Sequence, residues 1–230
     1  MRKHLAVLLV FLSLSAPAFA AVQKAEELVS KGSVLVQKKD YKGAAKAFEQ
    51  ALAASPGNAK IQTLLGLTYA QIGDFDKALQ YSQASVAKEP SFAAYHNLGL
   101  IYANKGDYGK SSNAYDAALA LNPTAYRAWY QLGLLHVQHG QFKKGIESYQ
   151  KAIAANKMFG PAYLGLGTAY YWAGDKAKAS DQVEALKAAG LNEDALQLRA
   201  WIDKKENAKQ TPPAAAPAAA EITPPTPSSK

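Results

Sequence analysis

Between residue 25 and about residue 206, apolar side chains recur at intervals of three and four, the spacing that one face of an α-helix produces. The apolar stretches are separated by turn signals, most clearly Gly73-Asp74, Gly106-Asp107 and Gly174-Asp175. Glycine readily takes the left-handed conformation that ends a helix, and aspartate caps the start of the next one. The pattern therefore predicts helices joined by short turns, and it assigns these aspartates to capping rather than to catalysis.

One glycine recurs every 33 or 34 residues along this region, at Gly32, Gly66, Gly99, Gly133 and Gly167. A fixed period of this length is the mark of a repeat architecture. Placing each glycine at position 8 of a repeat gives five units, 25–58, 59–91, 92–125, 126–159 and 160–193.

Other positions of the repeat also keep one kind of side chain from unit to unit. Position 11 is mostly tyrosine, position 17 is mostly aromatic, and positions 20 and 27 are mostly small. Small side chains let two helices approach closely, and the rings fill the space that remains. Unit 5 departs from the pattern, with Lys176 and Leu191 where an aromatic residue and a proline are expected.

These columns resemble the tetratricopeptide repeat (TPR), and the resemblance covers residues 25 to about 193. It implies an all-α fold, a right-handed α-solenoid of helix-turn-helix repeats. Residues 193–206 carry a further apolar stripe that includes Leu198 and Trp201, and they are predicted to form a C-terminal capping helix because the last repeat of a solenoid needs a cover. The repeat domain is therefore placed at 21–206.

Both ends of the chain differ in composition from the repeats. Residues 1–20 combine a basic start, an apolar run and an Ala-x-Ala site, which predicts a signal peptide cleaved between Ala20 and Ala21. The apolar run is shorter than the roughly 20 residues that span a bilayer, so no stable membrane span is expected after cleavage. Residues 207–230 hold six of the 11 prolines and are predicted to be a disordered or polyproline-type tail. The expected location is the periplasm or the outside of the cell.

Composition removes several classes of function. The chain has no cysteine, which excludes disulfides and thiolate metal sites. The net charge is +8, but the basic residues are dispersed and form no single stripe, so nucleic acid is not an expected partner.

One pair of residues suggests metal binding. His136 and His139 lie three apart and share a helix face, but His136 occupies a core column and zinc normally needs three or four ligands. No nucleophile motif or phosphate-binding glycine loop is present. The sequence therefore predicts no metal, no cofactor and no enzymatic activity.

The TPR resemblance also implies where a partner would bind. In that family the first helix of each unit lines a concave groove, and repeat positions 2, 5, 9, 12 and 13 face it. Asn97, and Arg127 a second time, match TPR proteins that clamp a C-terminal carboxylate, but the other clamp positions do not match and the clamp is not assigned. The predicted partner-binding residues are Lys60, Thr63, Gln71, His96, Asn97, Asn104, Arg127, Tyr130, Gln138, Tyr171 and Trp172.

Among these residues, Tyr130, Tyr171 and Trp172 fall outside the core columns. Two interpretations stay open for them: they are exposed anchors for a partner, or they contact only water and the first helix of the next repeat. Lys60 and Arg127 give the surface a basic character, which favours an acidic segment or a free carboxylate. The predicted function is a protein–protein interaction scaffold or adaptor in an envelope or extracytoplasmic assembly. The alternatives are a holdase-like periplasmic chaperone and a self-assembling structural TPR protein, so a homo-oligomer remains possible.

Overall fold

The computed structural model describes residues 16–208. This part of the chain contains eleven α-helices and no β-strand. The helices are α1 (Ala16–Gln37), α2 (Tyr41–Ala54), α3 (Ala59–Ile72), α4 (Phe75–Lys88), α5 (Phe92–Asn104), α6 (Tyr108–Leu121), α7 (Tyr126–Gln138), α8 (Phe142–Ala155), α9 (Gly160–Trp172), α10 (Lys176–Ala188) and α11 (Asn192–Ala208).

The helices form two compact bodies, one ending at Pro90 and one beginning at Ser91. In the first body α1 packs on α2 and α3 packs on α4, and the two pairs meet through α2 and α3. The second body repeats this arrangement through α5 to α10, and α11 packs on α9 and α10. The all-α solenoid class predicted from the repeats is confirmed.

The Gly-Asp turns end and start helices as predicted. Gly73 has a φ of 88°, and the Asp74 carboxylate accepts a hydrogen bond of 3.1 Å from the backbone N–H of Lys77. Gly106-Asp107 and Gly174-Asp175 repeat this geometry, with φ values of 77° and 90° at the two glycines. Each carboxylate satisfies an N–H group that the first turn of a helix otherwise leaves unpaired.

Three consecutive helices begin without such a cap. The residues that precede α7, α8 and α9 are Ala125, Gln141 and Phe159, and none makes a side-chain hydrogen bond to the helix that follows. The side-chain oxygen of Gln141 is buried and has no hydrogen-bond partner. Packing, rather than local capping, must therefore hold the starts of these three helices in place.

The glycine column makes the close approach that its position implied. Tyr149 is 1% exposed, and its ring lies against Gly133 of α7 and Gly165 of α9. A Cβ atom added at Gly133 would lie 2.7 Å from ring carbons of Tyr149, and one added at Gly165 would lie 2.6 Å from another. A single ring thus fills the gap between two successive repeats because both backbones lack a side chain there.

Unit 5 solves the same packing problem with the terminal helix. Val183 stands where units 1, 3 and 4 have a ring, and a Cβ atom at Gly167 would instead meet Leu198 of α11 at 2.7 Å. Leu198 and Ile202 are buried with Val183 in one core cluster. The predicted capping helix therefore completes the last repeat as well as covering it.

The ends of the fold differ from the predicted boundaries. Helix α1 begins at Ala16, nine residues before the predicted first unit, and runs through Ala20 and Ala21. Helix α11 extends two residues into the predicted tail. Residues 1–15 of the predicted signal peptide and residues 209–230 of the predicted tail lie outside the described residues. Among residues 16–208, every helix is too short or too polar to cross a membrane.

Candidate functional site

A cleft of about 420 Å³ opens between α1 and α3 in the first body. Its apolar lining is Val22, Ala25, Val29, Ile61 and Leu64, and its polar lining is Glu26, Ser30, Ser55, Asn58 and Lys60. Val22 belongs to the part of α1 that precedes the predicted first unit, so the longer helix builds part of the cleft. Lys60 is the predicted partner-binding residue that reaches it, and its side chain is exposed.

The start of α3 supplies positive charge at the rim of this cleft. Asn58 caps the helix, with its side-chain oxygen accepting hydrogen bonds from the N–H groups of Lys60 at 3.1 Å and Ile61 at 3.2 Å. Lys60 then adds its ammonium group to the positive end of the helix dipole. Glu26 of α1 lies on the same lining and carries the opposite charge.

The other two predicted residues of the first body are engaged with their surroundings. The Thr63 hydroxyl lies 3.0 Å from the backbone oxygen of Ala59 and 2.7 Å from the Ser85 hydroxyl of α4. This hydrogen bonding ties Thr63 to the partner helix of its own repeat. Gln71 is half-buried in the last turn of α3.

In the second body, Arg127 is exposed at the edge of a group of rings. Its Nε atom donates a hydrogen bond of 3.2 Å to the hydroxyl of Tyr126, and its guanidinium lies 5.7 Å from the centre of the Tyr126 ring. The Tyr126 ring packs edge-on against Phe159, with centroids 4.9 Å apart. Arg127 is therefore held against an aromatic surface while its charge stays in solvent.

Tyr130 packs on its neighbours, which is one of the two interpretations that the sequence left open. Its ring is half-buried, 5.2 Å from Phe159 and 5.8 Å from Tyr149 between centroids, and burial raises the pKa of its hydroxyl. Phe159, in the turn before α9, is a packing partner that the repeat columns did not include. Phe159 belongs to no repeat column, so its contact with Tyr130 could not be predicted from the repeat pattern.

Tyr171 and Trp172 likewise pack within the fold, together with Trp201, and these three residues form what we call the C-terminal aromatic cluster. The three ring centroids are 5.2 to 6.0 Å apart, and each pair meets edge to face. All three side chains are half-buried. Of the two interpretations that the sequence left open for Tyr171 and Trp172, the structure shows packing, and the ring that covers them is Trp201 of α11.

Two lysines lie over this cluster. The Lys176 ammonium is 5.3 Å from the Tyr171 ring centre, and that of Lys205 is 5.4 Å from Trp172. Lys176 also pairs with Glu206 of α11 at 3.4 Å. The predicted stripe on the capping helix included Trp201, but it carried no indication that this ring would meet Tyr171 and Trp172.

The remaining predicted residues lie on α5 and α7. His96 is half-buried between the rings of Phe92 and Tyr115, and burial lowers its pKa to about 4. Asn97 is only 5% exposed. The Asn104 amide donates a hydrogen bond of 2.8 Å to the backbone oxygen of Leu100, and Gln138 is half-buried at the end of α7. Of the eleven predicted residues, Lys60 and Arg127 are the exposed ones.

The two histidines considered as metal ligands bind other groups. Burial, with help from the charge of Lys144, lowers the pKa of His136 to about 4. Its Nδ1 is hydrogen-bonded to the Tyr108 hydroxyl, with 2.8 Å between the two atoms. His139 Nδ1 lies 2.9 Å from the backbone oxygen of Leu135. Within residues 16–208, no group of three or more His, Cys, Asp or Glu side chains is placed to hold a metal.

Two lysines at the same repeat position make the same pair of contacts in different units. Lys110 lies 5.5 Å from the Tyr102 ring centre and 2.9 Å from the capping carboxylate of Asp107. Lys178 makes the matching contacts with Tyr170 and Asp175, at 5.6 and 2.8 Å. Lys110 and Lys178 thus lie in different repeats, in agreement with the dispersion of the basic residues in the sequence.

Comparison with protein families gives a match over most of the repeat region. A family profile described as tetratricopeptide repeat matches residues 35–99 and 136–202, and a second profile of the same description matches residues 96–161. No curated protein sequence matches the chain.

Solved structures are similar over most of the chain. A crystal structure of MamA is 28% identical with a TM-score of 0.63, and the alignment covers 82% of this chain and 97% of that one. A second MamA crystal structure is 29% identical with a TM-score of 0.62, over 75% of this chain and 96% of that one. YrrB, described as a TPR protein with an unusual peptide-binding site, is 15% identical with a TM-score of 0.62, over 81% and 98% of the two chains. The likeness to YrrB shows the fold alone.

Proposed function

Because the chain belongs to the tetratricopeptide repeat family, we propose that it is an exported, non-enzymatic scaffold that holds a segment of a partner protein on the first helices of its repeats. The fold and the similar solved structures support a protein–protein interaction scaffold. Proteins of this family are in general non-catalytic. The partner-binding surface and the location outside the cytoplasm are the parts of the proposal that need testing.

The observation that carries the proposal is the cleft between α1 and α3. Its volume of about 420 Å³ is within the range of about 300 to 1,000 Å³ that is usual for binding pockets. Its apolar lining favours an apolar side chain of the partner, because that side chain is removed from water on binding. The cleft therefore suits a short peptide segment that inserts apolar side chains between two helices.

Charge on the rim suggests how such a segment would be oriented. Lys60 and the capped start of α3 favour an acidic group on one side, and Glu26 favours a basic group on the side of α1. Exposed ion pairs contribute mainly to orientation and rate of association, and little to affinity. The proposed segment carries an acidic residue, an apolar residue and a basic residue in that spatial order from α3 to α1.

Arg127 is a candidate contact in the second body. Arginine and aromatic side chains together are enriched among the residues that dominate binding energy at interfaces. The Tyr126 ring, itself packed on Phe159, contacts the Arg127 guanidinium, so a partner carboxylate would meet a side chain that is already positioned. A variant at Arg127 removes this contact without touching the cleft, so the two surfaces can be tested separately.

The test is affinity capture from an envelope extract with the chain beginning at Ala21, alongside variants. Ser30→Trp fills the cleft from an exposed position, and Glu27→Trp places the same side chain on α1 outside the cleft lining. Arg127→Glu reverses the second contact, and Lys143→Glu reverses an exposed charge on α8 as its control. We expect Ser30→Trp to remove one or two captured proteins that Glu27→Trp retains.

Other outcomes would favour the alternatives. Many weakly captured proteins that every variant retains would indicate a holdase-like chaperone. Capture of the chain by itself, with a mass by light scattering that rises with concentration, would indicate self-assembly. Either result would refute a dedicated adaptor.

A further inference from the structure

The C-terminal aromatic cluster leaves aromatic surface beside the place where the chain leaves the fold. Tyr171, Trp172 and Trp201 are each half-buried, so part of every ring is in contact with solvent. Lys205 lies over Trp172 and Trp201, and it is three residues from the end of α11 at Ala208. The described chain therefore ends close to three partly exposed rings.

The residues that follow have the composition that aromatic surfaces bind. Residues 211–220 read Thr-Pro-Pro-Ala-Ala-Ala-Pro-Ala-Ala-Ala, with three prolines and no charged side chain. Proline-rich segments favour the polyproline II conformation, so little conformational entropy remains to be lost when they dock. Grooves lined by tryptophan and tyrosine are the usual receptors for such segments.

The length of chain allows these residues to reach the rings. Trp201 lies seven residues before Ala208, which corresponds to about 10 Å along a helix. At about 3.1 Å per residue, the nine residues 209–217 span up to about 28 Å, enough to reverse direction and return. A tether of this length gives an effective concentration on the order of millimolar, so a contact of weak intrinsic affinity would still be formed.

From these observations we propose that residues 211–220 dock on the C-terminal aromatic cluster of the same molecule, with proline rings against the exposed parts of Trp172 and Trp201. The contact covers Tyr171 and Trp172, two of the predicted partner-binding residues. It does not depend on the proposed scaffold function, because it requires no partner.

The chain has no cysteine, which makes a site-specific test direct. Ala220→Cys in the full chain takes a nitroxide label, and the three tryptophans supply three indole N–H signals in a ¹⁵N spectrum. If the segment docks, the Trp172 and Trp201 signals should be several-fold weaker than in the same sample after the nitroxide has been reduced. Trp129 is the internal control, because it lies in the first turns of α7 and donates its indole N–H to the backbone oxygen of Pro123 at 2.8 Å.

Variants of the tail distinguish docking through the proline rings from a loss of signal that comes only from the nearness of the tethered nitroxide. They leave residues 16–208 unchanged. Replacing Pro212, Pro213 and Pro217 with glycine should restore the Trp172 and Trp201 intensities. Replacing Ala214, Ala215 and Ala218 with glycine also makes the chain more flexible but keeps the proline rings. This variant should restore the Trp172 and Trp201 intensities far less. Unchanged signals at Trp172 and Trp201, or equal loss at Trp129, would overturn the proposal.

A mixture of two samples shows whether the docked segment comes from the same molecule. One is the ¹⁵N-labelled chain without nitroxide, and the other is the chain with natural-abundance nitrogen that carries the nitroxide. The proposal requires that this mixture shows no loss of intensity. Loss in the mixture would place the segment of one molecule on another and would overturn the intramolecular contact. Affinity capture with the cleft variants is unaffected by either result, so the two proposals fail separately.

Discussion

The substitution Gly133→Ala tests whether the glycine column sets the distance between repeats. The new Cβ atom would lie 2.7 Å from two ring carbons of Tyr149 and 3.1 Å from a third. The ring has no free side to move towards, because it is 1% exposed and also abuts Gly165 of α9. Relief of the clash therefore requires α7, α8 or α9 to shift.

Two opposing effects decide the magnitude. In a helix interior alanine is more favourable than glycine by about 1 kcal/mol. Overpacking a well-filled core costs about 1 to 3 kcal/mol. We expect the clash to exceed the helix preference, with a net loss of up to about 2 kcal/mol in the free energy of unfolding. For a chain of this size, about 1 kcal/mol lowers the melting temperature by about 2 to 4 °C.

Thermal and urea unfolding, followed by far-ultraviolet circular dichroism, measure this change. Gly109→Ala is the matched control, since the nearest atom to its Cβ would be an Asp107 carboxylate oxygen at 4.0 Å, and it should leave stability unchanged or raised. Adding Tyr149→Leu to Gly133→Ala should cost less than the two single losses added together, because the smaller side chain removes the clash. A Gly133→Ala chain as stable as the Gly109→Ala chain would refute the reasoning.

Three further predictions follow from individual groups. Burial holds the pKa of His136 at about 4, against about 6.5 in the unfolded chain, so unfolding below about pH 6.5 takes up a proton. The stability is therefore complete above about pH 6.5 and falls by up to about 3 kcal/mol for this group towards pH 4. Because burial lowers the pKa of His96 to the same value, His136→Tyr should remove about half of the pH dependence from a series of melting curves over that range. Gln141→Asp should supply the missing cap of α8 and raise the free energy of unfolding by about 1 kcal/mol in urea titrations, whereas a neutral effect would mean that packing already meets the need. If the chain is exported, mass spectrometry of the mature protein should find Ala21 as its first residue. Cleavage should cost little stability, because the removed Phe19 is 63% exposed. An uncleaved chain in that compartment would contradict the cleavage prediction.

The fold could be predicted from the sequence because its main determinants repeat. Gly99 and Gly133 lie at one repeat position, and the Tyr115 and Tyr149 rings that they contact lie at another. The same glycine–ring contact therefore recurs from unit to unit, and each occurrence supports the prediction of the next. The Gly-Asp turns are equally local, since the cap bond joins residues three apart. Features that depend on short, repeated spacings can therefore be predicted from the amino-acid sequence alone.

The features of the candidate site were less visible because they depend on residues outside the columns. Tyr130 packs on Phe159, a turn residue, and Tyr171 packs on Trp201, which lies 30 residues further along the chain. Val22 lines the cleft from the part of α1 that precedes the first repeat unit, so no repeat column includes it. Exposure of a side chain is set by such neighbours, and no single column contains them.

The absence of side-chain caps on α7, α8 and α9 has a consequence for how the second body opens. In a repeat protein, stability is close to a sum over repeats and the interfaces between neighbours, so one weak repeat can open while its neighbours stay closed. The first-turn amide protons of α8 should exchange with deuterium sooner than those of α6 and α10, which begin at capping aspartates. The fourth repeat, both of whose helices begin without a side-chain cap, would then be the part of the second body that opens most easily.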